Sequence, residues 1–211
     1  MFKNVLKNVD TLVVVGKWNI HVFSPDWVKQ NLFEGEEMKI SVVLPSGPFQ
    51  FRGNSFELTV SDNRLHFELL SKEDSARIDA IQALRTILRL LGQTPVTAFG
   101  INFVYDTDHD LRDYFKSFGQ TNNVVGLPFT RIKREVKWSM YDEKSNSTNI
   151  RLFEETDKYR VDVNYNYPVT ECFQIMEMID DDSVLANKKA DCERLLKERL
   201  NIDIDSQDER I

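Results

Sequence analysis

The sequence predicts an α+β protein: two pseudo-repeated antiparallel β-hairpin plus helix units, with the sheet covered on one face by helices. Three observations predict it. Apolar residues alternate along Phe56–Val60 and again along Leu65–Leu69, around a turn at Asp62-Asn63. That two-residue repeat marks a hairpin with one packed and one solvated face. A looser version of the same order returns at Ile150–Leu152 and Tyr159–Tyr165, with a turn near Asp157. Each hairpin is followed by a helical pattern, over about 74–91 in the first unit and about 184–200 in the second. The likeness between the units is one of pattern, not of residue identity.

Thr11–Val15 and Trp18–Phe23 read as strands separated by Gly16-Lys17. Ser24 then caps a short helix with Pro25 at its first position and Trp27, Val28 and Leu32 on its apolar face. Met38–Leu44 and Phe49–Arg52 are strands around the turn Pro45-Ser-Gly47-Pro48. The helix over 74–91 carries Ile78, Ile81, Leu84, Ile87, Leu88 and Leu91 at three- and four-residue spacing. Ser71 and Asp74 have the spacing of a capping box, and Gly92 supplies the stop. Arg77, Arg85 and Arg89 fall away from the apolar stripe. Val96–Tyr105 is a further strand, interrupted by Gly100, and a short helix over 108–118 follows. Residues 131–141, 149–154 and 159–167 complete the strands. Val169–Ile179 fits neither period, and Asn201–Ile211 is a charged tail expected to fray.

Residues 120–130 are polar and turn-forming and divide the chain into parts 1–119 and 131–211, which either stand as separate units or form one continuous domain. Of 211 residues 41% are hydrophobic, and fourteen phenylalanines supply core bulk, so a packed interior is affordable. The formal charge of −7 disfavours a phosphate backbone as partner. The basic run Ile132-Lys-Arg-Glu-Val-Lys137 is broken by Glu135 and reads as a solvated strand face. Cys172 and Cys192 lack metal-ligand spacing and read as buried thiols of a reducing, cytoplasmic compartment. No stretch approaches the length that spans a bilayer, so no membrane partner is expected.

Chemistry-bearing patterns are sparse. The densest polar group, Asp106-Thr-Asp108-His109-Asp110, follows a strand and opens the 108–118 helix. Thr107 and Asp110 match a cap, and acidic residues suit a helix N-terminus. The alternative is a metal-dependent hydrolase or nuclease in which Asp106, Asp108, His109 and Asp110 hold an ion and activate water. His66 and Glu68 share a strand face and need ligands from a neighbouring strand to hold a metal. Asp180-Asp-Asp182 lacks calcium-loop spacing and reads as a solvated loop. Nucleophile elbows and phosphate loops are missing. The expectation is therefore a noncatalytic protein–protein interaction or assembly component, binding another protein or itself, with no cofactor and no metal. Trp138, Met140, Tyr159 and Tyr165 are the candidate interaction or ligand surface, on the seam between the halves.

Overall fold

A computed structural model describes residues 5–42, 48–107, 133–155, 158–200 and 202. The expected helix at 108–118, the linker at 120–130 and the turns at 45–48 and 157 lie wholly or mostly outside these residues. Among the described residues nine strands form one antiparallel sheet. They are β1 (Val5–Gly16), β2 (Lys39–Val42), β3 (Phe49–Arg52), β4 (Phe56–Val60), β5 (Arg64–Leu69), β6 (Val96–Thr107), β7 (Lys133–Tyr141), β8 (Ser147–Glu155) and β9 (Lys158–Pro168). Their order is β2-β3-β4-β5-β1-β6-β9-β8-β7. The two twelve-residue strands β1 and β6 pair at the centre. Each is flanked on its other side by the last strand of a meander, β5 and β9 respectively.

β1 begins earlier than its apolar run suggests. Its first half, Val5–Asp10, in which Lys7, Asn8 and Asp10 interrupt the apolar residues, is held in the sheet by pairing with Phe103–Thr107 of β6. That partnership is nearly a hundred residues away in sequence, so no local pattern announces it. The expected strand at Trp18–Phe23 is instead one turn of 3-10 helix at Ile20–Val22. Trp18 and Phe23 are both buried and meet edge to face at 6.4 Å. Five residues apart, they would point to opposite faces of a strand, so only a turn puts both in the core. Asn19 Oδ1 accepts the His21 N–H at 3.2 Å and holds that turn.

α1 (Pro25–Leu32) starts as its sequence predicts: the Trp27 N–H donates to Ser24 Oγ at 3.3 Å, with Pro25 in the first turn. α2 (Asp74–Leu90) contacts α1, β4 and β5. Its cap differs from expectation. Glu73 is the N-cap residue, while Ser71 Oγ accepts only the Glu73 N–H and Asp74 turns to Arg77. Arg77 also departs from its expected place, because it is buried and reaches Asp10 of β1. The ambiguous segment resolves as α3 (Cys172–Met178), with Cys172, Ile175 and Ile179 buried at helical spacing. Phe173 and Met178 are exposed apolar residues, and they blurred the period. Gln174 Oε1 accepts the N–H groups of Thr170 and Glu171 and fixes the start of α3. α4 (Val184–Leu200) buries Leu185, Cys192 and Leu196 and contacts β6 and α2. Just beyond it Ile202 is buried, and its N–H donates to Leu196 O at 3.0 Å, so this point of the expected tail is tied to the core.

The core residues come from one parity of each strand: Leu12 and Val14, Phe56 to Val60, Leu65 to Leu69, Phe99 to Tyr105, Val161 and Val163. α2 and α4 both reach this face, through Arg77 and Lys189 on Asp10. No helix of the described residues is long and apolar enough to cross a membrane. Both cysteines are free and buried.

Candidate functional site

The opposite parity of the strands builds a polar face. One register row crosses all nine strands: Lys39, Arg52, Glu57, Glu68, Thr11, Asn102, Asn164, Asn149 and Ser139. Every member is polar. At ordinary strand spacing the row is about 38 Å long. From β7 to β1 the side chains join hands. Ser139 Oγ donates to Asn149 Oδ1 at 2.7 Å, Asn149 Nδ2 to Asn164 Oδ1 at 3.2 Å, Asn164 Nδ2 to Asn102 Oδ1, and Asn102 Nδ2 to Thr11 Oγ1 at 2.9 Å. An amide donates two N–H groups, so Asn102 and Asn164 each keep one beyond the ladder, and Thr11 keeps its hydroxyl hydrogen. The chain of bonds is polarised in one direction, each donor strengthened by the bond it accepts.

Charged groups flank the ladder in pairs. Arg160 grips Asp106 with two bonds, Nε to Oδ1 at 2.6 Å and Nη2 to Oδ2 at 3.1 Å. Arg151 Nη2 donates to Asp162 Oδ2 at 3.1 Å, and its guanidinium lies 5.0 Å from the Phe153 ring centre. Burial pushes the Asp162 carboxyl above the usual carboxylate range, against the pull of Arg151 and Arg160. Its Oδ1 is buried without a hydrogen-bond partner. On β5, burial lowers His66 below the usual imidazole value, more than Glu68 raises it. Together Thr11, His66, Glu68, Asn102, Asp106 and Asn164 line a shallow concavity of about 310 Å³ over the central strands. With Arg151, Arg160 and Asp162 also in its lining, it presents amide N–H donors, a hydroxyl, an imidazole, two guanidinium groups and three carboxylates.

The sequence-derived candidates fall in different places. Asp106 lies on this polar face, with both oxygens engaged by Arg160. Asp108, His109 and Asp110 lie outside the described residues, and so does the Thr107 side chain. Among the described residues no group of three His, Cys, Asp or Glu side chains is placed to hold a metal ion. Trp138, Met140, Tyr159 and Tyr165 are on the core-side parity. Tyr159 and Tyr165 are buried and Trp138 is partly buried against the core. Met140 and Tyr165 line one cleft beside α4; Trp138 and Tyr159 lie outside it.

Sequence reasoning missed the ladder. Its signal was an asparagine at a solvated position of two strands, Asn102 and Asn164, but the register that joins them was invisible. A second polar group was missed on the core side. Asp10 accepts from Arg77 Nε at 3.3 Å and from Lys189 Nζ at 3.1 Å on each oxygen. Beside it the Tyr105 hydroxyl meets Cys192 Sγ at 3.8 Å, and burial pushes the thiol up to about 12. Arg77 stands four residues before Ile81 and seven before Leu84, which places it on the apolar stripe; that spacing was the available signal. No protein-family model matches the chain, and no curated protein matches it.

Proposed function

We propose that this protein is a noncatalytic binding module that engages another polypeptide through the polar face of its sheet. The ladder from Ser139 to Thr11 carries the reading. It spends its hydrogen bonds on holding side chains still, and still side chains lose little entropy when a partner arrives. The charged groups support the same reading. Asp106 is locked to Arg160 through both oxygens and Asp162 is held by Arg151 through one, pairings that suit recognition. Asp106 thus lends no weight to a metal-dependent hydrolase. Each of the two long central strands, β1 and β6, has the end of a meander returned beside it, and the concavity sits over these strands. Among the described residues, α2 and α4 reach the core side, and the polar side offers a surface for an assembly. Two separate buried thiols fit a cytoplasmic setting.

Photo-cross-linking in native cells tests this. A photoreactive residue replaces Val15 or Lys137 on the polar face, or Gln82 on the exposed side of α2 as control. The expected result is one discrete adduct shared by the two polar-face positions and missing from Gln82. No adduct from the polar face, or an equal adduct from Gln82, refutes the proposal. An adduct of twice the chain mass identifies the partner as a second copy.

A further inference from the structure

The cleft beside α4 lies at the β7–β8 end of the sheet, where Met140, Thr148, Tyr165 and Tyr167 have the core-side parity and Tyr141 has that of the ladder, and its chemistry is different. Its walls are Met140, Tyr141, Tyr165, Tyr167, Lys188 and Leu195, around about 310 Å³. That is the low end of ordinary small-molecule pockets. Tyr141 is 73% exposed, the most open large apolar side chain among the described residues, and Met140 is 40% exposed. The Lys188 ammonium lies 5.2 Å from the Tyr165 ring centre and 5.9 Å from that of Tyr167. Aromatic faces hold an ammonium in place but leave its charge uncancelled. No carboxylate among the described residues pairs with Lys188. Two acidic groups stand nearby: Asp191 of α4 pairs with Arg194, and Asp142, which also lines the cleft, accepts from the N–H groups of Lys144 and Asn146 and from Asn146 Nδ2 at 2.8–3.0 Å. That engagement, led by Asn146, holds the Asp142 carboxyl below its usual value. Thr148 lines the cleft and adds a hydroxyl.

We propose that this cleft is a binding site for a small aromatic carboxylate. The carboxylate meets the Lys188 ammonium and the Thr148 hydroxyl, and the ring lies against Met140 and Leu195. A cation seated on ring faces selects the negative charge, and the exposed apolar wall selects the flat, apolar body. The site stands independently of the polypeptide-binding reading, because no residue is shared with the polar concavity.

Ligand-observed NMR and calorimetry on the full chain decide it, with indole-3-acetate as probe and indole-3-acetamide as its uncharged twin. The expected dissociation constant is about 1 mM, ordinary for a fragment of this size. The acetamide should bind at least about tenfold more weakly, the order of a lost charge-assisted hydrogen bond. Lys188→Gln should erase the difference between acid and amide, and Met140→Ala should weaken both ligands. Lys188→Arg should keep the preference for the acid. Equal binding of acid and amide, or unaltered binding by Lys188→Gln, overturns the proposal. So does competition by inorganic phosphate as strong as by the acid, which would mean a bare anion contact. No saturable binding at low-millimolar concentration overturns it as well.

Discussion

Replacing Asp10 with asparagine removes the buried carboxylate that Arg77 and Lys189 share. Asp10 is 5% exposed, and the side chains of Arg77 and Lys189 are only 10% and 11% exposed. Three contacts of 3.1–3.3 Å converge on its two oxygens. Breaking a buried ion pair by deleting one partner costs about 3–5 kcal/mol, because the other charge stays behind in a dry place. Arg77 keeps Asp74 at 2.6 Å, so the low end, about 3 kcal/mol, is expected here. That is a large fraction of the stability of an ordinary domain. Alkaline pH supplies a second signature. Burial holds the Lys189 ammonium below its ordinary value, and Asp10 pulls the other way. Between the folded and unfolded values the unfolded chain binds the proton and the folded chain does not, so stability rises with pH there. Without Asp10 that interval extends further down, and the deficit of Asp10→Asn shrinks as Lys189 loses its proton. Urea unfolding followed by tryptophan fluorescence at pH about 7 and about 9.5 measures both effects. A loss below about 1 kcal/mol, or a deficit unchanged at alkaline pH, refutes the reasoning. The triple change Asp10→Leu, Arg77→Met and Lys189→Met should recover most of the loss, since no charge is then stranded.

Asn164→Ala cuts the ladder at its middle and leaves Asn102 Oδ1 and one Asn149 N–H to water. A loss of about 1 kcal/mol is expected, with shifted side-chain amide resonances of Asn102 and Asn149 in NMR spectra. Two glycines should behave oppositely in thermal melts. A Cβ on Gly16 would sit 2.7 Å from Pro95 O and 3.1 Å from Val96 Cγ1, so Gly16→Ala should cost about 1–3 kcal/mol. At Gly100 the nearest atom would be 3.5 Å away, so Gly100→Ala should be neutral or stabilising by about 0.5–1 kcal/mol. His66 is held below the usual imidazole value by burial, so the unfolded chain takes up its proton first as pH falls. Stability should therefore decline as pH drops below about 6.5, and His66→Gln should flatten that slope in urea titrations.

The meander β4–β5 and the helices α1, α2 and α4 were legible because their causes are local. Alternation in Phe56–Val60, the Ser24-Pro25 start and the Ile81-Leu84-Leu88 stripe depend on neighbours within a few residues, and a sequence displays those directly. The antiparallel sheet followed from the same patterns. Other features depended on residues that meet only in the fold. The first half of β1 mixes polar and apolar residues and becomes a strand because β6 offers its hydrogen-bonding edge. Trp18 and Phe23 leave the strand pattern because both enter one core. Arg77 turns inward because Asp10, sixty-seven positions earlier, is buried beside it. The polar face follows the same division. Asn102 showed as a polar residue between Gly100 and Val104, and Asn164 as one of four alternating polar residues from Arg160 to Asn166. Their pairing, and the ladder from Ser139 to Thr11, came from register, which is set by how the two packed faces align over one core. The sequence by itself thus determined which residues face the core in most strands and helices. The tertiary structure alone decided which polar residues stand side by side, because hydrogen bonds between strands join positions that the chain keeps far apart.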